Sequence, residues 1–178
     1  SPLWAVAQSG VRDDGRPYTT VLFFNGGMGA TAGKDGEHVL SWPSNISSTP
    51  VEVAERNSPL FFHYKRMRPG SGGRGRFRGG LGQDMLIESE SRRPIVISFM
   101  AERTRFPAPG LAGGGAGGLG AIRINGRAVD HRGQHVLERG ERGLVCTAGG
   151  GGYGPAPGRP RALRQRDGRL GYVKGPGA

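Results

Sequence analysis

Residues 69–82 read PGSGGRGRFRGGLG, and this stretch decides how the rest of the chain is interpreted. Half of it is glycine, and its three arginines, Arg74, Arg76 and Arg78, stand two residues apart. The flanking segments SPLFFHYKRMRP and LGQDMLIESE are rich in strand-forming residues, so the glycines predict a long turn between two strands. An extended backbone would project all three guanidinium groups from one face. The pattern therefore predicts an anion site held by a folded scaffold.

A second interpretation of residues 69–82 is a disordered arginine–glycine segment that binds nucleic acid. The formal net charge of +11 favours it, and all but three of the 25 basic residues are arginine, which pairs well with phosphate and carboxylate. The flanking strands and the presence of only one RGG triplet, at residues 78–80, count against it. Nucleic acid is therefore the less favoured partner.

Composition and patterning together predict a mainly β fold of the α+β class. Glycine and proline are abundant, at 35 and 13 of 178 residues, yet the apolar residues cluster in strand-like runs such as TTVLFF and PIVISFM. We expect a strand-rich glycine-loop domain with one or two short helices over residues 1–154. A flexible basic tail, containing at most one short helix that ends at Gly168, is expected over residues 155–178.

Cysteine usage and hydropathy predict the compartment. Cys146 is the single cysteine, so an internal disulfide is excluded and a reducing compartment is expected. No apolar run approaches the roughly 20 residues that cross a bilayer, and the N-terminal residues lack a signal-peptide pattern. We therefore expect a soluble cytoplasmic protein with no membrane partner.

A second glycine-rich loop, NGGMGATAGKDG at residues 25–36, follows a predicted strand and has to be tested for nucleotide binding. The phosphate-binding pattern GxxxxGK[ST] fails, because Met28 stands at its first glycine and Asp35 at its hydroxyl position. The dinucleotide pattern GxGxxG has Ala32 at its third glycine, and no helix pattern follows. This loop is not expected to hold a nucleotide by itself.

A short helix is predicted between residues 49 and 59. Thr49 is expected as the N-cap, Pro50 as the first helical residue and Glu52 as the partner in a capping box. Glu52 and Glu55 would share one face, where two carboxylates can act as acid and base. The alternative is structural, with one capping residue and one solvated charge.

Strands run into glycine-rich loops at four places, around residues 25, 70, 110 and 149. Glycine at this density allows positive φ angles and close approach of backbones, and consecutive free N–H groups can bind anions. The alternative is that these loops are only tight connections in a β-rich fold.

Five motifs, taken in order and spacing, resemble the C-terminal part of the hydantoinase B/oxoprolinase family. They are NGGMGATAGKDG at 25–36, PSN at 43–45, TPVEVAE at 49–55, PGSGGRGRFRGGLG at 69–82 and TAGGGGYG at 147–154. The resemblance extends from Ser1 to Tyr172. Because family members are several hundred residues long, it implies that this chain is a fragment.

The resemblance implies an ATP-dependent hydrolase of cyclic amides such as 5-oxoproline or N-methylhydantoin, with ketone carboxylation as the related chemistry. It implies a hydantoinase A-like partner that binds ATP with Mg²⁺, a phosphorylated intermediate, and a divalent metal only in a part of the family outside this chain. By position, it matches the first loop, the acidic motif and the arginine–glycine motif to those of the family.

The candidate site residues follow from these motifs, with no metal ligand expected among them. The expected catalytic residues are Asp35, Glu52 and Glu55. The expected substrate- or anion-binding residues are Asn25, Gly26, Gly27, Gly29, Lys34, Arg76 and Arg78. Two other functions stay open, a nucleic-acid-binding module centred on residues 69–82 and a non-catalytic scaffold for a partner subunit.

Overall fold

A computed structural model describes residues 2–41 and 48–173 of the chain. Its strands and helices alternate with long glycine-rich connections. The strands are β1 (Leu3–Val11), β2 (Pro17–Asn25), β3 (Leu60–Met67), β4 (Gln83–Ser89), β5 (Ile95–Met100), β6 (Ala121–Ile124), β7 (Arg127–Ala128), β8 (Gln134–Leu137) and β9 (Arg142–Cys146). The helices are α1 (Val51–Asn57), a 3-10 turn (Ala156–Gly158) and α2 (Arg161–Arg169). The mainly β class expected from the sequence is confirmed.

Two antiparallel sheets pack across one apolar core. The first sheet has the order β2-β1-β5-β8 and the second β3-β4-β9-β6-β7. Alternating residues of β4 and β5 point inward, as the two-residue period of a strand requires. Trp4 and Ile97 of the first sheet and Met85 and Val145 of the second are fully buried in this core. Helix α1 covers the core beside β3 and contributes Ala54.

The arginine–glycine stretch connects two paired strands, as its flanking residues predict. β3 and β4 are antiparallel neighbours, with Met67 opposite Gln83 where the stretch begins and ends. Residues 69–82 are therefore an ordered connection at one end of the second sheet. Two of the four glycine-rich stretches are set in place by this sheet, because β9 lies beside β4 and runs into residues 147–154.

Helix α1 differs from its prediction at the N-terminus. The helix begins at Val51, Pro50 occupies the cap position, and no side chain caps the first turn. The predicted capping box between Thr49 and Glu52 is therefore wrong. Pro50 has ψ of 146°, which leaves it outside the helix.

The described part of the predicted flexible tail, residues 155–173, is folded onto the glycine-rich loops. It forms the 3-10 turn and α2, and Arg159 and Asp167 within it are buried. The Gly70 N–H donates to the Tyr172 carbonyl at 2.9 Å. Flexibility is thus the wrong expectation for residues 155–173, because buried ion pairs hold them, whereas the short helix is confirmed. The domain limit at residue 154 stays a prediction, and the motif at 43–45 lies outside the described residues.

Candidate functional site

Main chains of the four glycine-rich segments pack directly against one another. We call this set the glycine layer, formed by residues 26–30, 71–80, 110–118 and 148–154. The last segment is central and exchanges main-chain hydrogen bonds with each of the others. These bonds include Gly27 N–H to Ala148 O (2.9 Å), Gly73 N–H to Gly150 O (2.8 Å), Gly150 N–H to Gly80 O (3.0 Å), Leu111 N–H to Gly152 O (2.9 Å) and Gly149 N–H to Gly118 O (3.0 Å).

Space, and not backbone conformation, requires glycine in the centre of this layer. A Cβ on Gly149, Gly150, Gly151 or Gly152 would overlap a main-chain carbonyl outside its own segment, namely that of Ser71, Met28, Pro109 or Arg74 respectively. None of these four glycines has a positive φ. The four loops that the sequence shows as separate junctions are therefore one structural unit.

A cluster of buried charges lies beside the glycine layer and includes Asp35 from the first loop. One Asp35 oxygen accepts from the Arg78 main-chain N–H and from Arg159 Nη1, both at 2.7 Å. The other accepts from Arg159 Nη2 at 2.8 Å. Arg166 reaches the same carboxylate at 3.5 Å from a half-exposed position. Asp35 thus ties the arginine–glycine loop to the segment before α2.

Arg159 has a second carboxylate partner, Asp167 of α2. Its Nε and Nη2 donate to the two Asp167 oxygens at 2.8 and 3.1 Å, and Nη1 also donates to the Arg76 carbonyl at 3.2 Å. A guanidinium has five N–H groups in a planar fork, which suits two bidentate carboxylates. We call Asp35, Arg78, Arg159 and Asp167 the ion cluster.

The guanidinium of Arg78 completes the ion cluster from the other side. It is only 4% exposed, and its Nη1 donates to the Gly79 carbonyl at 2.8 Å. Its Nε lies 3.5 Å from an Asp167 oxygen, yet makes no hydrogen bond with a described residue. The Tyr172 ring covers it, with the Arg78 Cζ 5.0 Å from the ring centroid.

Burial and charge shift two titratable groups here. Burial alone would raise the pKa of Asp35, but the hydrogen bonds from Arg159 and from the Arg78 N–H outweigh it and hold that pKa below its usual value. Burial, followed by the positive charge of Arg78, lowers the pKa of His38. The His38 Nδ1 accepts from the Leu81 N–H at 2.9 Å, which favours the neutral ring. Asp35 is ionised and His38 neutral at pH 7.

Two of the predicted site residues, Asp35 and Arg78, meet in the ion cluster, whereas the side chain of Arg76 lies apart and only its carbonyl contacts the cluster. Arg74 and Arg78 line one cavity, but Arg76 is exposed, and its Cβ faces Gly154. The prediction that all three arginines share a face is therefore wrong for Arg76. Residues 69–82 pack against the other glycine-rich segments and do not form an extended strand. Their side chains therefore do not alternate strictly between two faces.

The other loop residues are held in different ways. Asn25 is buried, and its carbonyl accepts from Gln83 Nε2 at 3.0 Å. The N–H groups of Gly26 and Gly27 donate to main-chain carbonyls, so an anion there would have to replace a buried bond. Gly29 is exposed, and Lys34 is exposed with an ion pair to Glu37. Their binding roles stay predictions.

The two helix carboxylates lie outside the ion cluster. Glu55 Oε1 accepts from the Phe62 main-chain N–H at 2.7 Å, which fastens α1 to β3. Glu52 is exposed on the helix. Neither side chain has a hydrogen bond or ion pair with the cluster among the described residues. The contact of Glu55 is structural, and a catalytic role for either residue stays a prediction.

Sequence reasoning missed Arg159, Asp167 and His38. Arg159 and Asp167 follow the glycine layer in a segment whose many arginines indicated a solvated tail. No spacing in the sequence links them to Asp35, which is 124 residues before Arg159. The weak signal available was Asp167 itself, an isolated acid in a basic stretch, where a buried ion pair can be suspected.

Cys146 and the potential metal ligands among the described residues add no further candidate site. Burial, with a further contribution from the Asp84 carboxylate, raises the pKa of the Cys146 thiol to about 12, so it is not a nucleophile at neutral pH. Within residues 2–41 and 48–173, no three histidine, cysteine or acidic side chains are placed to hold a metal ion. Helices long and apolar enough to cross a membrane are also absent from this part of the chain.

Comparison with known proteins places these features in a family. Residues 2–156 match the family described as hydantoinase B/oxoprolinase. The chain is 32% identical to the 5-oxoprolinase PfmaA of Pestalotiopsis fici over 158 residues, which is 80% of this chain and 12% of that protein. It is 30% identical to the caprolactamase subunit beta of Pseudomonas jessenii over 188 residues, covering 94% of this chain and 31% of that subunit.

A solved structure shares the fold. The crystal structure of ATP-dependent caprolactamase from Pseudomonas jessenii superposes with a TM-score of 0.81 at 22% identity, covering 96% of this chain and 32% of that one. The chain therefore spans between about an eighth and a third of the proteins it matches. The extent of the family match, from residue 2 to residue 156, is decisive: this chain belongs to the hydantoinase B/oxoprolinase family.

Proposed function

We propose that this chain is part of an ATP-dependent hydrolase that opens cyclic amides. The observation that carries the proposal is the family match over residues 2–156, together with relatives named 5-oxoprolinase and caprolactamase subunit beta. The substrate is a small lactam, and the bond broken is its ring carbon–nitrogen bond. An ATP-using partner of the hydantoinase A type, with Mg²⁺, supplies the activation of the carbonyl oxygen.

The packing of the glycine layer supports the assignment of ATP binding to such a partner and not to this chain. The loop at residues 25–36 fails both nucleotide patterns, and its Gly27 is packed against other backbone, where a Cβ would overlap the Gly80 carbonyl. A cradle for phosphate needs free N–H groups, which Gly27 does not offer. ATP therefore binds to the partner, and this chain contributes a rigid surface of loops.

Asp35 serves in this proposal as a positioning residue. Its carboxylate is held by Arg159 and by the Arg78 N–H, so its proton affinity is too low for a general base. Arg78 is buried, so the exposed Arg74 is the arginine of the loop that can face an anionic substrate or intermediate at the cavity. Donors fixed before the reaction stabilise developing negative charge without reorganisation.

An apolar outer face on the first sheet also fits a chain that works within a larger assembly. Phe23 of β2 is 51% exposed, Met100 of β5 is 61% exposed, and both pair with Ala5 of β1. Val136 of β8 continues the same face beside Val96. Contiguous apolar surface of this kind is typically covered by other protein.

The test is coupled turnover by the complete polypeptide that contains this chain, purified with its partner. ATP hydrolysis should rise when 5-oxoproline, N-methylhydantoin or caprolactam is added, with ring-opened amino acid formed in step with phosphate. ATP hydrolysis that ignores every cyclic amide would contradict the proposal. Bicarbonate-dependent consumption of a ketone would instead assign the chain to the related carboxylation chemistry.

Asp35→Asn tests the site directly, with Glu37→Gln as the neighbouring control. The first substitution weakens the ion pair with Arg159, and we expect coupled turnover to fall with little change in ATP affinity. The second removes only an exposed charge paired with Lys34. Equal activity of the two variants would remove Asp35 from the working site.

The nucleic-acid alternative receives little support from the geometry. Phe77 pairs with Tyr153 through a main-chain bridge, and Arg78 is buried, so the stretch is neither extended nor free to track a phosphate backbone. Salt-sensitive binding of single-stranded RNA or DNA that is lost on Arg74→Gln would revive it.

A further inference from the structure

A cavity of about 290 Å³ lies between the arginine–glycine loop and α2. Arg74 and Arg78 line it from the loop, and Arg159, Arg164 and Asp167 line it from the segment that includes α2. Its volume is close to the lower limit of ordinary ligand pockets, at roughly 300 Å³. It can therefore hold one small organic molecule.

The arginines around the cavity outnumber the carboxylates, which leaves an excess of positive charge. In the ion cluster at its inner side, the guanidinium groups of Arg78 and Arg159 are matched by the carboxylates of Asp35 and Asp167. Arg74 and Arg164 are exposed at the cavity, and neither side chain forms an ion pair or hydrogen bond with a described residue. Two positive charges at the cavity are thus left without a partner among residues 2–41 and 48–173.

The buried guanidinium of Arg78 is not available to a ligand. Its Nε is shielded from solvent and lies 3.5 Å from an Asp167 oxygen, so the free positive charges are those of Arg74 and Arg164. Apolar contact comes from Val173 and Ala156 in the wall.

We propose that this cavity binds a small molecule carrying two negative charges on carboxylate or phosphate oxygens. Arg74 and Arg164 are the binding residues, because planar guanidinium groups recognise such oxygens in a bidentate way. The ion cluster keeps the floor of the cavity in place, and Val173 contacts the carbon skeleton. The inference does not depend on the proposed function, since it rests on this cavity alone.

The experiment titrates the complete polypeptide with inorganic phosphate, succinate and succinamide, using calorimetry and phosphorus NMR. Arg74→Gln and Arg164→Gln are the test variants. Arg169→Gln is the matched control, because Arg169 is also exposed on α2 but does not line the cavity. All three arginines are at the surface, so the fold should survive each change, which circular dichroism can verify.

We expect phosphate or succinate to bind in the millimolar range and succinamide not to bind. Each test variant should weaken binding by about threefold to tenfold, the range for exposed charge-assisted hydrogen bonds, and the control should leave it unchanged. Tighter binding of phosphate identifies a phosphate ligand, and tighter binding of succinate a dicarboxylate. Failure of both anions to bind, or equal weakening by Arg169→Gln, would overturn the proposal.

Discussion

The sheet sandwich and the glycine layer are stabilised in opposite ways. In the sandwich, side chains such as Trp4, Ile97 and Leu137 are removed from water, and the hydrophobic effect holds the sheets together. In the glycine layer, main chains touch without side chains between them, and the links are N–H to carbonyl hydrogen bonds. The sandwich requires side chains that fill its interior, whereas the glycine layer requires that no side chain separate its main chains.

This difference predicts different tolerance to substitution. A sandwich core can repack around a change of one carbon atom, because side chains have rotamers to adjust. Main-chain carbonyls in the glycine layer have no such freedom, and moving one segment breaks bonds to the others. Glycine also loses more conformational entropy on folding than other residues, so the layer is costly to order.

Adding one carbon atom to the glycine layer should lower the free energy of unfolding more than any other change proposed below. In Gly150→Ala the new Cβ would overlap the Met28 carbonyl and lie 2.6 Å from the Gly29 nitrogen. We expect a loss of about 4 kcal/mol or more in the free energy of unfolding, at the exceptional end for a point substitution. Denaturant unfolding measures it.

Gly29→Ala is the control for that change, because its Cβ would meet only the Gly151 oxygen at 3.8 Å. It should stay within about 0.5 kcal/mol of the wild type. Similar losses in both variants would show that conformation, and not space, requires glycine in the layer.

Breaking the ion cluster should have the next largest effect. Arg159→Met leaves Asp35 and Asp167 without their shared partner in a buried position. Removing one partner of a buried ion pair costs about 3 kcal/mol or more. Thermal unfolding should show this loss, with Arg166→Met, a half-exposed neighbour, as the control.

A double variant separates charge from packing in the ion cluster. Arg159→Met combined with Asp35→Asn should recover part of the lost stability, since Arg78 and Asp167 stay paired and no carboxylate of the cluster is left without a cation. If the double variant is less stable than Arg159→Met alone, the hydrogen bonds of the cluster matter more than its charges.

Removing one carbon from the sandwich should have a smaller effect. Ile97 is fully buried, and Ile97→Val should cost about 1 kcal/mol, the usual value for one buried methylene. Val136, 54% exposed on the adjacent strand, is the control through Val136→Ala, which should be near neutral. A loss in Ile97→Val as large as in Gly150→Ala would remove the contrast between the two regions.

Mild acidification should have the smallest effect on the free energy of unfolding. Because the pKa of His38 is lower in the folded state than the ordinary value of 6.5, the unfolded chain binds the proton more tightly. The free energy of unfolding therefore has its full contribution from neutral His38 above a pH of 6.5, and this contribution declines as the pH falls below that value. Asp35, whose pKa is also lowered, adds a second decline only below its ordinary value of 3.8.

His38→Asn tests the first decline, because the asparagine Oδ1 can take the place of Nδ1 as acceptor from the Leu81 N–H and does not titrate. The variant should show a flatter stability curve between pH 7 and about 5, the range in which an unperturbed histidine gains its proton. An unchanged curve would assign the decline to other groups.

Local pattern was enough to determine the strands, the two short helices and the ordered nature of residues 69–82. The period of apolar residues and the glycine-rich turns act over a few positions, so a reader of the sequence can recognise them. The same pattern predicted a site containing Asp35 and Arg78, through motifs that also carry the family resemblance, and the functional role of these residues stays a prediction.

Only the tertiary structure decided that the four glycine loops form one layer and that the basic segment after residue 154 completes it. Arg159 meets Asp35 across 124 residues, and Gly150 meets Met28 across a similar separation. Such contacts depend on how β4 and β9 pair and where their loops end, which no local period encodes. The sequence by itself specified the segments and their glycines, whereas long-range packing determined which arginine is buried, which is paired and which is left facing a cavity.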